Sequence, residues 1–168
     1  MANLFAWASI SENGTVNGKA GDSTGNEVKT GSYYNFGQTH CIRIKDKAMR
    51  YAVATTATAL ANNEAIGYGQ SDRHTLYNLC RNSGWSFDKV LKALQKTKVN
   101  TDCSSFVAVC VNLGFGKEIF PSDTYTGNIM DYAKKDSRFS VVKIATAEKK
   151  FWKSDMPVKA GKHIIINV

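Results

Sequence analysis

The spacing of hydrophobic residues changes from helical to strand-like along this chain. Residues 46–63, DKAMRYAVATTATALANN, place small and apolar residues at helical spacing between an acidic start and an Asn-rich finish, which predicts an amphipathic helix. Two shorter helices are predicted in RHTLYNLCRNS and FDKVLKALQKT, with Asp72 and Ser86 as N-caps and Gly84 and Trp85 between them. A further short helix is expected near residues 128–135.

The remaining segments are short strands and turns. Residues 11–38 are rich in Gly, Asn, Ser and Thr and contain a Tyr33-Tyr34-Asn35-Phe36 cluster, so we expect loops around one or two short strands. RFSVVKI and KHIIINV are β-branched and predict strands, with KAG as the turn before the last one. Helices therefore precede strands, which predicts an α+β fold with N-terminal helices packed on a small C-terminal antiparallel sheet.

Length and composition predict one globular domain over residues 1–168. A chain of 168 residues with 43% hydrophobic content is long enough to bury a core. The start MANLFAWASISENG lacks the basic region of a signal peptide, and no window is apolar enough to span a membrane. The four cysteines have neither disulfide-scaffold nor zinc-site spacing, so we expect free thiols and no metal or other cofactor.

The net charge of +8 favours contact with polyanions. Nucleic acid, anionic lipid and the teichoic acid of a bacterial wall all fit that charge. The lysines are scattered, and no nucleic-acid-binding motif accompanies them. We therefore interpret them as a solvated basic surface and expect no nucleic-acid partner.

The stretch TDCSSFVAVCVNLG, which begins at Thr101, places a cysteine where an apolar helix starts. Thr101 or Asp102 can cap the first turn, and Gly114 is expected to end the helix. Cys103 then lies at the N-terminus, where unpaired amide groups and the helix dipole favour a thiolate. Cys110 lies two turns later and is interpreted as a core residue.

A thiolate nucleophile needs a base, and the chain offers three histidines. His40 lies in a segment with no predicted element, and His74 lies in the first turn of a helix. His163 opens the strand HIIINV, which can hold an imidazole rigidly against a helix. Cys103 and His163 are therefore the candidate catalytic pair.

TDCSSFV, followed about sixty residues later by a histidine that opens a strand behind a glycine turn, resembles the NlpC family of cell-wall cysteine peptidases, which have a papain-like fold. ASISENGTVNGKAGDSTGNEV and IGYGQSDRHTLY are also similar to segments of phage-associated cell-wall hydrolases. The resemblance implies that Tyr68, Ser104 and Asp102 contribute to substrate binding near the thiol. GDSTG has the G-x-S-x-G pattern of a nucleophile elbow but no strand before it or helix after it, so Ser23 is interpreted as a turn residue.

Two features depart from that family. KSDMPVKAGKH places Asp155 only loosely where the family has Gly-Asp, and the family's third polar residue, which orients the histidine, has no clear counterpart. Asp22 and Asn167 are the candidates, although Asn167 would lie about 13 Å from His163 along one strand.

The resemblance implies hydrolysis of an amide bond in bacterial peptidoglycan by a phage endolysin, with anionic wall polymers as a second partner. We expect synthesis in the host cytoplasm and release to the wall at lysis, with a C-terminal wall-binding module absent from the chain. A stem-peptide endopeptidase is the first interpretation. An N-acetylmuramoyl-L-alanine amidase and a non-catalytic wall-binding or phage-tail module are the alternatives.

Overall fold

The computed structural model describes residues 3–10, 15–22 and 24–168; residues 11–14 and Ser23, the predicted turn residue, lie outside the described part. The helices are α1 (Lys47–Ala61), α2 (Thr75–Asn82), α3 (Phe87–Leu94), α4 (Cys103–Phe115), α5 (Ile129–Lys135) and α6 (Ile144–Glu148). The strands are β1 (Leu4–Ala8), β2 (Val28–Ser32), β3 (His40–Ile44), β4 (Ile66–Tyr68), β5 (Val99–Thr101), β6 (Phe139–Lys143), β7 (Met156–Lys159), β8 (His163–Ile164) and β9 (Ile166–Asn167).

The strands form two antiparallel sheets and one parallel pair. The first sheet has the order β2-β1-β9, the second has the order β6-β3-β7-β8, and β4 pairs with β5 in parallel. The N-terminal strands β1 and β3 are both inner strands, and each pairs with later strands on both sides. The expectation of a sheet built only from the C-terminal part is therefore wrong, because the two ends of the chain meet in the β1–β9 ladder.

Helix α4 is the centre of the core. Its residues from Cys103 to Leu113 are all buried, as expected from apolar side chains on every face. Helix α1 packs closely along it at Gly114, where an added Cβ would run into the side chain and backbone of Val53. Gly114 therefore lies inside the helix rather than ending it, and Gly116, with φ of 66°, forms the left-handed C-cap.

The strongest sequence patterns predicted their elements well. Helix α1 is capped by Asp46, whose side chain accepts a hydrogen bond from the Met49 amide (2.8 Å), and its C-cap is Asn62. Helix α3 follows Ser86, and β6 occupies most of RFSVVKI. The N-cap predicted at Asp72 is wrong, because residues 71–74 form turns and α2 begins after His74.

The predicted C-terminal strand is divided into two. His163 and Ile164 of β8 pair with β7, whereas Ile166 and Asn167 of β9 belong to the other sheet and pair with β1. The chain changes sheets at Ile165. His163 and Asn167 therefore do not share one straight strand.

A second, smaller hydrophobic cluster lies beside the main core. It contains Phe5, Trp7 and Ile165, with Tyr33, Phe36 and Phe151 packed against it. The four cysteines are free thiols, and all four are buried, including Cys103, which was expected to be a reactive thiolate. Among the described residues, none of the helices combines the length and the apolar character required to cross a membrane.

Asn112 of α4 fixes the chain that leaves the helix. Its side-chain oxygen accepts hydrogen bonds from the Ile119 (2.8 Å) and Phe120 (2.9 Å) amides, and its amide donates to the Phe120 carbonyl at 2.8 Å. The residue is fully buried. Since the groups it satisfies are shielded from water, removing their partner should be costly.

Replacing Asn112 by alanine should lower the free energy of unfolding by about 2–3 kcal/mol, because it leaves buried backbone groups without partners. Asn78→Ala is the matched control: Asn78 is exposed on α2, and its side chain accepts a hydrogen bond from Arg81. The control should change stability by less than about 0.5 kcal/mol in urea titrations. Equal destabilisation of the two variants would contradict this role of Asn112.

Candidate active site

Cys103 is the first residue of α4, and Asp102 determines where the helix starts. Asp102 has extended backbone angles, and its carboxylate accepts a hydrogen bond from the Ser105 amide at 2.7 Å. Cys103 and Ser104 occupy the first helical positions, so their backbone N–H groups have no carbonyl acceptor within the helix. The sulfur therefore lies beside the positive end of a buried helix dipole.

Strand β8 packs against this helix start. The backbone N–H of Ile164 lies near the Cys103 sulfur and lowers the pKa of the thiol, and His163 precedes Ile164 in the strand. The turn from β7 to β8 contains Gly161 with φ of 69°, a conformation that favours glycine. The hairpin thus places His163 next in sequence to Ile164, the residue whose amide lies near the thiol.

Tyr34 lies close to both candidate catalytic groups. Its hydroxyl shares a hydrogen bond with His163 Nε2 at 2.8 Å, and the charge of Cys103 influences its ionisation. Phe36 packs edge-on against the imidazole with ring centroids 5.0 Å apart, and Trp7 packs edge-on against Tyr34 at 5.3 Å. The aromatic contacts and the hydrogen bond together orient the imidazole ring.

The residues proposed to orient His163 from the sequence have other roles. Both carboxylate oxygens of Asp22 accept backbone hydrogen bonds from its own loop, including those from Gly25 (2.8 Å) and Glu27 (2.9 Å). Asn167 donates its side-chain amide to the Trp152 carbonyl at 2.9 Å, in the sheet that does not contain His163. The prediction that Asp22 or Asn167 orients His163 is therefore wrong. The side chain that hydrogen-bonds the imidazole is that of Tyr34.

Asp102 and Ser104 belong to a polar network centred on Arg73. Arg73 Nε lies 2.5 Å from Asp102 Oδ2, and its guanidinium donates to the Ser104 hydroxyl (3.0 Å) and to the Thr124 carbonyl (2.5 Å). The Ser104 hydroxyl donates to Asp102 at 3.0 Å, and Ser104 is only 2% exposed. The prediction that Ser104 binds substrate is therefore wrong for this structure, since its buried hydroxyl is bonded to the capping residue Asp102.

Tyr68 ends β4 close to the thiol. Burial raises the pKa of its phenol, and the nearby Cys103 adds to that rise. Its hydroxyl accepts a hydrogen bond from Gln70 at 3.2 Å, and the residue is 5% exposed. Tyr68 thus forms a wall beside Cys103, while its ring belongs mainly to the core.

The ionisation of Cys103 and His163 differs from the sequence-based expectation. Burial raises the pKa of the Cys103 thiol to about 12, and the Asp102 carboxylate acts in the same direction. Hydrogen bonds from the Ile164 and Ser104 amides lower this pKa but do not overcome burial. Burial also lowers the pKa of His163 to about 4. The expectation of a thiolate is therefore wrong for this state, and both groups are neutral at pH 7.

The remaining histidines and thiols lie in other surroundings. The His40 ring is 3.0 Å from the Thr39 hydroxyl, and His74 immediately precedes α2. Cys41, Cys80 and Cys110 are fully inaccessible, whereas Cys103 retains 7% exposure. Cys103 is thus the most accessible of the four thiols.

Two residues of the site were not predicted from the sequence. Tyr34 lies in the aromatic cluster at residues 33–36, whose concentration of rings in a polar, glycine-rich segment is the signal that could have drawn attention to it. Arg73 has no comparable signal, because one arginine before a helix is common. Its role depends on contacts with residues 102–124 that only the folded chain brings together.

A comparison with protein families matches residues 5–168 to the endolysin-like domain. The chain belongs to this family. Membership identifies an endolysin-like phage lytic protein and indicates peptidoglycan as the substrate. Comparisons of this endolysin-like domain with curated proteins and with solved structures found no match.

The lowered pKa of His163 makes stability depend on pH. Between about pH 6.5 and about pH 4 the unfolded chain binds a proton at this residue that the folded chain does not, so stability falls as pH falls through that window. His163→Gln should remove about 1–3 kcal/mol of the stability difference between pH 7 and pH 4.5. Urea titrations at the two pH values measure this difference.

His40→Gln is the control, because its ring lies on β3, two strands away from His163 in the sheet, and contacts the Thr39 hydroxyl. It should keep the wild-type difference between pH 7 and pH 4.5. An unchanged difference in the His163 variant would contradict the lowered pKa.

Proposed function

We propose that this endolysin-like domain is a papain-like cysteine hydrolase of the NlpC type that cleaves an amide bond in peptidoglycan. Cys103 is the nucleophile and His163 the general base. The observation that carries the proposal is the packing of β8 against α4, where the Ile164 amide lowers the pKa of the Cys103 thiol and His163 is the next residue in the strand. Among the phage lytic activities that fit the family, this junction favours nucleophilic thiol chemistry.

The neutral state of the pair supports proton transfer during attack. His163 Nδ1 accepts the thiol proton as the sulfur forms a bond to the substrate carbonyl carbon. The negative charge then develops on the carbonyl oxygen, where the Cys103 and Ser104 amides at the helix start stabilise it. No free thiolate has to persist in the buried site.

Tyr34 determines which imidazole nitrogen is basic. Tyr34 Oη lies 2.8 Å from His163 Nε2. In the proposed mechanism the hydroxyl oxygen accepts the Nε2 proton, which leaves the lone pair on Nδ1 for the thiol proton. The protonated ring then donates its Nδ1 proton to the leaving amine, and the C–N bond breaks. Neutral His163 then takes a proton from water, the resulting hydroxide attacks the thioester carbonyl, and the C–S bond breaks. The protonated His163 returns its proton to the Cys103 sulfur. Tyr34 thus performs the orienting role of the family's third polar residue.

A stem-peptide endopeptidase is the proposed reaction, with the N-acetylmuramoyl-L-alanine amidase as the alternative. Both reactions break an amide bond and need the same nucleophile and base. The two differ in the new amino terminus: an amidase frees the amino group of the residue attached to the sugar, whereas an endopeptidase frees one inside the stem. A non-catalytic wall-binding module releases no fragment.

Cys103→Ala should reduce the release of wall fragments by at least about a thousandfold, and His163→Ala by about 10²- to 10⁴-fold, because each removes a reacting group. Mass analysis of the fragments released from purified walls measures this decrease and identifies the bond that is cut. Cys110→Ala, in the same buried helix, is the matched control and should retain activity. Wild-type release by the Cys103 variant would contradict the proposal.

Tyr34→Phe keeps the aromatic ring between Trp7 and Phe36 but removes the hydroxyl that binds His163. We expect kcat to fall about fivefold with little change in KM, since removing the hydroxyl takes about 1 kcal/mol of hydrogen bonding from the positioned base alone. Nitrogen-15 NMR of the imidazole should change from one tautomer to a mixture. Tyr33→Phe, whose hydroxyl binds Glu148, is the control.

A change in KM alone, or an unchanged tautomer signal in Tyr34→Phe, would contradict a positioning role for Tyr34. Thermal unfolding of both tyrosine variants separates this effect from a change in stability.

A further inference from the structure

A basic groove lies between the start of α1 and the chain that precedes β7. Its volume is about 580 Å³, and its cationic side chains are Lys45, Lys47, Arg50, Lys150 and Lys153. The four lysines are exposed, and within the described part of the chain none of them forms an ion pair. Five cations around one groove concentrate a substantial share of the net charge of +8.

The carboxylates close to this groove are already engaged. Asp46 caps α1 through the Met49 amide, and its charge offsets one of the five cations at most. Asp155 is fully buried and forms an ion pair with Arg43 at 3.0 Å. The groove therefore keeps a positive potential that favours a polyanion.

Aromatic rings add apolar surface to the groove. Tyr51 is 53% exposed and Trp152 is 37% exposed, which is unusual for large rings in a folded domain. The guanidinium groups of Arg43 and Arg50 lie 4.4 Å and 4.5 Å from the centre of the Trp152 ring. These cation–π contacts hold Trp152 in place at the groove and keep two cations beside it.

We propose that this groove binds the phosphodiester chain of a wall polymer of the teichoic-acid class. The lysines and Arg50 pair with successive phosphates, and the exposed edges of Tyr51 and Trp152 pack against the polyol carbons between them. The choice of this polyanion rests on the proposed function, because a wall hydrolase meets such polymers at its substrate. Two guanidinium groups already occupy the Trp152 ring surface, which disfavours the base stacking that single-stranded nucleic acid uses.

The groove is connected to the candidate active site through the small hydrophobic cluster. Phe151 of the groove packs against Phe5 and Tyr33, with ring centroids 5.1 Å and 4.8 Å apart. Trp7 of the same cluster packs against Tyr34, which binds His163. Polymer binding in the groove would thus hold the domain on the wall in a fixed relation to the catalytic residues.

The test measures binding of a synthetic glycerol phosphate decamer by isothermal titration calorimetry at 50 mM and 200 mM salt. Lys47→Gln, Lys150→Gln and Lys153→Gln are combined in a groove variant. A control variant with the same reduction in charge combines three substitutions of exposed lysines on α3 and just after it, Lys89→Gln, Lys92→Gln and Lys96→Gln. We expect the groove variant to bind at least about tenfold more weakly at 50 mM salt. The slope of the logarithm of the binding constant against the logarithm of the salt concentration should be smaller by about 0.7 for each phosphate that no longer pairs with a lysine.

The control variant should remain within about threefold of the wild type, and circular dichroism melting verifies that both variants fold. Equal weakening of the two variants, an unchanged groove variant, or absence of wild-type binding at 50 mM salt would overturn the proposal. Tighter binding of a thymidine decanucleotide than of the glycerol phosphate decamer would overturn it in favour of a nucleic-acid site.

Calorimetry with Cys103→Ala separates this proposal from the proposed function, since binding of the decamer requires no bond cleavage. If the wild type binds the decamer but releases no wall fragments, the proposed hydrolase function is contradicted and the proposed polymer groove is not. If the wild type releases wall fragments but does not bind the decamer, the proposed polymer groove is contradicted and the hydrolase function is not.

Discussion

The packing of β8 against the N-terminus of α4 is the contact on which the candidate site depends. Asp102 starts the helix so that Cys103 is its first residue, and the Ile164 amide contacts the sulfur. The four-stranded sheet holds β8 through β7, and α1 holds the far end of α4 at Gly114. Because both partners belong to the main core, the position of the thiol relative to β8 is determined by the packing of the whole domain.

Burial at this junction has two opposing consequences. It removes water from the reacting groups and strengthens the helix-start amides as a site for a developing negative charge. It also raises the pKa of Cys103 to about 12 and lowers that of His163 to about 4, so the resting pair is neutral. Proton transfer coupled to attack reconciles these effects, and the hydrogen bond between Tyr34 and Nε2 positions the imidazole for that transfer.

Local patterns predicted the parts of this site that depend on neighbouring residues. The cap at Asp102, the buried helix after it and a strand at His163 are short-range features that the sequence expresses directly. The division of the last strand at Ile165 and the contact of Tyr34 with His163 depend on pairing between the two ends of the chain. Such pairing has no local signature, and the expected thiolate failed for the same reason, since burial is a property of the whole fold.

The central claim, a neutral but accessible thiol at the helix start, is tested most directly by the pH dependence of iodoacetamide alkylation, followed by peptide mapping of all four cysteines. The account predicts that Cys103 is labelled before Cys41, Cys80 and Cys110, slowly at pH 7 and with a rate that still rises above pH 9. A rate for Cys103 that reaches its plateau below pH 7 would reveal a preformed thiolate and contradict it. Labelling of another cysteine first would contradict the placement of Cys103 at an accessible site.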